Sequence, residues 1–317
     1  MKNKKTKILL IAALCCIAVG ACFTLIGMLM GGKPGFYADL KGVHDAESYR
    51  SDTVHTLEKM KIEDFDDVEI SIDYADVEII PSDDYYLEYQ IQSSNEIEYS
   101  VKDNKLTVGE KEGRGKFFFF NFTFFGFSTD TVEDAVKVYV PKEEQLENVN
   151  LKTESGTIRL NDSLQIENLK LKNEYGDVKI DTLTAQNLEV KLESGDFTGK
   201  SIASDKMTLR NEYGGIKIDE MKSENAEFKI ESGDLALDKA QLGDLSIDCE
   251  YGNAVLGLAE QLNQYALDLE NEYGDIKLPD GNKVGDGQEG SYHTTEGSLG
   301  TLKIRCESGD VEITENK

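Results

Sequence analysis

Eight glutamates recur through the second half of the chain, at Glu154, Glu174, Glu193, Glu212, Glu231, Glu250, Glu272 and Glu307. Each opens the element Glu-Ser-Gly or Glu-Tyr-Gly, and further acids follow at Asp177, Asp196, Asp234, Asp275 and Asp310. Carboxylates in such numbers suit two kinds of chemistry. A pair of acids cleaves glycosidic bonds, and six to eight oxygens converging on one point hold calcium. A hydrolytic pair must differ from its neighbours, whereas these acids repeat uniformly. The glycine-rich calcium-coil nonapeptide is absent. No metal ligand set is assigned and no cofactor is expected, calcium being the one ion the acids could suit. The place for it would be from Glu250 onward, where Asp248 and Glu270 replace the bases that precede the earlier glutamates.

Other catalytic signatures are missing. His44, His55 and His293 lie outside the regular repeats, and there is no nucleophile elbow, zinc-helix motif or phosphate-cradling loop. The expectation is a protein that is not an enzyme. The alternative is a polysaccharide-active β-helix enzyme, which a groove of non-repeating carboxylates would favour over a uniform ladder.

The elements that position these acids follow from the period. The first six glutamates are 19 or 20 residues apart, the signature of a stacked repeat whose units cannot bury their apolar faces alone. Leu169, Leu188 and Met207 stand five residues before their Glu, and Leu171, Val190 and Leu209 three before. Val178, Phe197 and Ile216 come four after. Offsets of two place residues on one strand face, so each unit holds two short inward-facing strands. The glycine makes the corner between them, and Leu164, Leu183, Ile202, Met221 or Ala240 marks a second corner. This predicts an all-β, single-domain parallel β-solenoid of about 19-residue coils. An antiparallel meander is the rival, but hairpins prefer Asn-Gly or Asp-Gly turns. The repeat continues upstream through Val68, Ile70, Asp73-Tyr74-Ala75-Asp76, Val77 and Ile79. The expected ectodomain spans 61–317, with a Phe-rich insertion at 109–135. The longer spacing between Glu272 and Glu307 reads as one coil carrying a polar loop, 279–298.

Residues 8–30 carry no charge and are mostly apolar, long enough to cross a bilayer. Lys2, Lys4, Lys5 and Lys7 precede them, so residues 1–7 are expected in the cytoplasm and the β domain outside, beyond a linker at 31–60. Val19-Gly20-Ala21-Cys22 also resembles a lipoprotein cleavage box, and a cleaved signal peptide is the third option. Each of the three puts the β domain outside the cytoplasm. Cys249 and Cys306 read as buried thiols two coils apart, too distant to bridge. With 61 acidic and 34 basic residues, net −27, the chain is not expected to bind nucleic acid.

Two aromatic features remain. Phe117, Phe118, Phe119, Phe120, Phe122, Phe124, Phe125 and Phe127 crowd one insertion, either a contact patch or a lid over the end of the stack. Tyr175, Tyr213, Tyr251 and Tyr273 follow their glutamates, with serines in the other units. They are either packing residues laid over smaller neighbours or a stripe for sugar or peptide contact.

The opening Val68-Glu69-Ile70-Ser71-Ile72-Asp73-Tyr74-Ala75-Asp76-Val77-Glu78-Ile79-Ile80-Pro81, the strand Val136–Pro141 and coils such as Glu193–Asp196 resemble the bacterial putative-adhesin family, domain of unknown function 4097. The resemblance covers roughly 60–317. It implies a surface-exposed β-solenoid with adhesion or envelope-stress roles and no established ligand. The Phe-rich insertion departs from that pattern. The expectation is a membrane-anchored, extracytoplasmic module that binds or senses an envelope protein, a glycan or a membrane surface.

Overall fold

The computed structural model describes residues 35–39, 42–45, 54–93, 95–111, 120–123, 134–285 and 289–315. The Ile8–Met30 run and Phe117, Phe118, Phe119, Phe124, Phe125 and Phe127 lie outside them. Among the described residues no helix is long and apolar enough to cross a membrane. The described chain is almost wholly strand.

Two units are distinguished. The smaller contains a three-stranded sheet in which Gly35–Asp39 is central, flanked by Gly42–Asp45 and Phe120–Thr123. Both pairings are antiparallel, with Tyr37 opposite His44 and Asn121. Phe120 and Phe122 are on this sheet's third strand.

The larger unit is a stack of coils. Strands Ile158–Tyr175, Val178–Ser194, Phe197–Tyr213, Ile216–Ser232 and Leu235–Tyr251 pair in parallel, each with the next. Leu171 faces Val190, Val190 faces Leu209, and Leu209 faces Phe228. Parallel pairing of successive repeats rules out the meander. Asp67–Tyr74 pairs in parallel with Gln145–Ser155, so the upstream copy is the first rung.

Each coil in the body of the stack has three inward runs, one more than the periodicity suggested. In the coil of Glu212 these are Met207, Leu209 and Asn211; then Ile216 and Ile218; then Met221 and Ser223, all buried. The last inward position of the first run carries Thr153, Asn173, Asn211 and Asn271 in several rungs, so its polarity hid its burial. These side chains tie down corner carbonyls. Asn173 Nδ2 donates to Gly156 O at 2.8 Å and Asn211 Nδ2 to Gly195 O at 3.0 Å.

The corner glycine is required wherever a corner crosses the one before it. At Gly195 φ is +144°, and a Cβ there would lie 2.1 Å from the carbonyl oxygen of Gly176 on the preceding rung. A side chain cannot fit where two backbones cross so closely.

Rung order departs from sequence order near the C-terminus. Gly300–Ser308 pairs in parallel with Leu235–Tyr251 on one side and with Tyr265–Tyr273 on the other. The later strand is therefore inserted between two earlier ones. The 272–307 spacing is not one coil with a loop, as expected, but two rungs laid down in reverse order. Residues 279–298 include Lys283–Gly285 and Gly290–His293, which pair antiparallel with Asp275–Lys277 and Tyr265–Tyr273. Antiparallel pairing also borders the first rung, where Ile97–Lys102 and Lys105–Glu110 form a hairpin whose second strand runs parallel to Asp67–Tyr74. The stack is parallel in its body and mixed at both ends.

Candidate functional site: an exposed tyrosine column

The residue after each repeat glutamate sits at the glycine corner, pointing outward. Through the ladder, Tyr74 faces Ser155, Ser155 faces Tyr175, Tyr175 faces Ser194, and Ser194 faces Tyr213. Tyr213 then faces Ser232, Ser232 faces Tyr251, Tyr251 faces Ser308, and Ser308 faces Tyr273. The alternation is unbroken in space. In sequence it fails, because Tyr251 and Tyr273 are consecutive; the inserted rung supplies the missing serine. All five tyrosines are exposed, between 58% and 69%. With rungs about 4.8 Å apart, successive rings recur every ~9.6 Å. Tyr74 is the member that the sequence stripe omitted, since its corner has Ala75 where the others have glycine.

The five rings keep most of their surface, an apolar face with a polar tip presented to solvent.

The columns beside the tyrosines explain how so many carboxylates coexist. Glu174 accepts from Lys172 at 3.0 Å, and the base column that seemed to fail at Asp248 and Glu270 is restored in space. Arg305 lies between those two residues in register, with its Nε 2.8 Å from Glu270. The expected weak point for a cation is therefore filled by a guanidinium. The turn acids are also committed. Asp177 accepts from the Asp196 N–H at 3.1 Å, Asp196 from the Gly215 N–H at 2.8 Å, Asp234 from the Asn253 N–H at 2.8 Å, and Asp310 from the Asp275 N–H at 3.1 Å. Burial works against the Asp177 carboxylate, but Lys179 and the Asp196 N–H hold it below its ordinary range. Lys277, then the Asp275 N–H, do the same for Asp310. These aspartates bind rung to rung.

One group of three potential ligands is found among the described residues. Asp268, Glu270 and His293 bring one ligand atom each within 4.8 Å of one another. Lys303 and Arg305 contact the same carboxylates, so the cluster is an ion-pair network whose charge is already balanced. A different carboxyl stands apart. Asp73, at the glutamate position of the first rung, is half-buried, and burial followed by Glu110 and Glu154 pushes it up to about 6. Neither arrangement sets a proton donor and a base across a cleft, as hydrolysis requires.

Cys249 and Cys306, expected two coils apart, are register partners on adjacent rungs because of the inserted strand. Both are buried. The contact with Cys306, then burial, pushes the Cys249 thiol up.

Residues 65–314 match the model of the family described as Toastrack DUF4097. Solved structures with similarity include a "putative adhesin" from Bacteroides fragilis, 14% identical, covering 83% of this chain and 98% of its own, at TM-score 0.47. Another "putative adhesin", from Parabacteroides distasonis, has the same identity and coverage at TM-score 0.44. A "putative lipid binding protein" from the same species is 14% identical, covering 84% of this chain and 98% of its own, at TM-score 0.33. No curated protein matches.

Proposed function

The chain belongs to the Toastrack DUF4097 family, and on that premise we propose that it is a membrane-anchored, extracytoplasmic binding module without catalytic activity, taking a linear β-linked polysaccharide along its tyrosine column. The observation that carries this reading is the regular exposure of Tyr74, Tyr175, Tyr213, Tyr251 and Tyr273 on alternate rungs. A flat ring every ~9.6 Å is comparable in length to a disaccharide in an extended β-linked chain, so one sugar in two can stack on a ring. The serines between leave room for the intervening sugars, and the flanking glutamates can accept from their hydroxyls. A rigid parallel stack holds the rings in place before the ligand arrives, which lowers the ordering cost of binding. The acidic surface disfavours polyanions and suits neutral or amino sugars.

The location rests on the sequence. The lysines before Ile8–Met30 favour a cytoplasmic N-terminus with the stack outside. The Phe-rich insertion stays a second contact surface in this reading, against an envelope protein or the membrane itself.

The test is retention of the full-length protein on insoluble cellulose, chitin and peptidoglycan. The variant Tyr175→Ser/Tyr213→Ser/Tyr251→Ser uses the residue that already occupies the same corner on alternate rungs, so its melting temperature should change little. Retention of the wild type and loss in the triple variant is the expected result. Equal retention of both would sink the proposal.

A further inference from the structure

We propose that Cys249 and Cys306 form a disulfide that staples the inserted C-terminal strand into the stack. The two cysteines are direct partners in the parallel ladder between Leu235–Tyr251 and Gly300–Ser308. Neighbouring strands stand about 4.8 Å apart, inside the Cα separation of ~4.4–6.8 Å that a disulfide spans. Both side chains occupy the same inward position, the one before the repeat glutamate. Their sulfurs also converge on a single carbonyl: Gly252 O lies 3.6 Å from Cys249 Sγ and 3.4 Å from Cys306 Sγ. No other rung pair places two cysteines at this position.

The fold gives the bond a purpose. From Gln145 to Tyr251 each rung follows its neighbour in sequence and can be added as the chain winds. Gly300–Ser308 must instead enter a slot between Leu235–Tyr251 and Tyr265–Tyr273. Its loss would open the stack on both sides, and ladder bonds, packing and the Lys303–Asp268 and Arg305–Glu270 pairs hold it there without a covalent tie. A covalent link at Cys306 ties this strand to the rung beneath it and closes a loop of about 57 residues, long enough for the cross-link to constrain the unfolded chain more than a short loop would.

Chemically, the step is two thiol–disulfide exchanges. A Cys306 thiolate attacks a sulfur of an acceptor disulfide, releasing one acceptor thiolate and leaving a mixed disulfide. The Cys249 thiolate then attacks the Cys306 sulfur and releases the second acceptor thiolate. Two cysteine thiols lose two electrons and two protons, and one acceptor disulfide is reduced to two thiols. Thiol–disulfide oxidoreductases of oxidising compartments, or oxidised glutathione, supply that acceptor. In the finished stack both sulfurs are buried, at 0% and 2% exposure, so exchange takes place before the strand enters its slot. Once formed, the bond is shielded from reductants.

The experiment uses the full-length chain, unfolded in urea and refolded with a mixture of oxidised and reduced glutathione, then alkylated and mapped by peptide mass spectrometry. A Cys249–Cys306 cross-linked peptide is expected. Reduction under denaturing conditions, followed by refolding without oxidant, should lower the melting temperature by about 8–16 °C. In the variant Cys249→Ala/Cys306→Ala the same treatment should cause no shift. If that variant does not fold, the wild-type comparison still decides. Two alkylated thiols after oxidative refolding would overturn the proposal. Trapping the thiols by alkylation in intact cells addresses compartment separately: a bond that forms on refolding but not in cells would contradict the extracytoplasmic location and leave the disulfide geometry standing.

Discussion

Replacing the corner glycine with alanine isolates what holds one rung on the next. In Gly195→Ala the new methyl would sit 2.1 Å from Gly176 O, about 1 Å inside the closest approach real Cβ atoms make, at φ +144°. The backbone conformation alone costs a non-glycine residue about 1–3 kcal/mol. Relieving the overlap costs about 1–3 kcal/mol more, because the Gly195 N–H is fixed by a 2.9 Å bond to Tyr213 O and cannot simply move away. The sum, roughly 2–6 kcal/mol, corresponds to a fall in melting temperature of about 5–20 °C for a unit of this size. Two controls separate the contributions. Gly281 has φ +86° with nothing within 4 Å of its Cβ position, so Gly281→Ala carries only the conformational cost, about 1–2 kcal/mol. Gly215 has no left-handed φ, and its added Cβ would meet Asp196 Oδ1 at an ordinary 3.6 Å. Gly215→Ala should be neutral or up to about 1 kcal/mol more stable, since alanine restricts the unfolded chain. Thermal and urea melts followed by circular dichroism read all three. If Gly195→Ala melts with Gly215→Ala, the rungs do not cross at the glycines and the stacking is wrong.

Inward and outward positions should separate as cleanly. Truncating Leu171 or Leu209, both buried, to Ala should cost about 2–5 kcal/mol, while Lys172→Ala, on the outer face, should stay within about 0.5 kcal/mol; equal shifts would refute the inward assignment. Asp73 binds its proton more tightly folded than unfolded, so its contribution raises stability as pH falls from about 6 toward 4. Asp73→Asn should therefore stabilise the protein at pH 7, by no more than about 1 kcal/mol after solvent screening, and should flatten the pH dependence of the melt in that window. An unchanged slope would show that Asp73 does not titrate there. Protease added to spheroplasts should remove the β domain and leave an N-terminal stub, and protection of 61–317 would reverse the proposed orientation.

The repeat was legible because burial of Leu, Val, Ile and Phe at fixed offsets is a requirement that sequence cannot conceal. The third inward run was not, since Ser204 and Ser223 stand in it and Asn173 and Asn211 close the first run, buried but polar. The Asn173 and Asn211 amide N–H groups donate to corner carbonyls and the Ser223 hydroxyl to Asn225 O, and no apolar period records such bonds. Rung order was hidden for a different reason: pairing follows geometry in space, and the 35-residue interval fits a loop equally well. Two signals pointed to the insertion. Consecutive Tyr251 and Tyr273 broke the alternation, and Asp248 and Glu270 broke the base column. Placing Ser308 and Arg305 between them repairs both at once. Sequence separation misled the reading of Cys249 and Cys306, whose neighbourhood depends wholly on that insertion.

Affinity for β-linked oligosaccharides of increasing length, measured by calorimetry on the full-length protein, tests the central claim most directly. Each disaccharide added to a cello- or chito-oligosaccharide should engage one further tyrosine. On the scale of aromatic contacts, about 0.5–1.5 kcal/mol each, affinity should rise roughly 2- to 12-fold per step and level off once the five rings are covered. Binding that does not change with length, or that survives Tyr175→Ser/Tyr213→Ser/Tyr251→Ser undiminished, would contradict it.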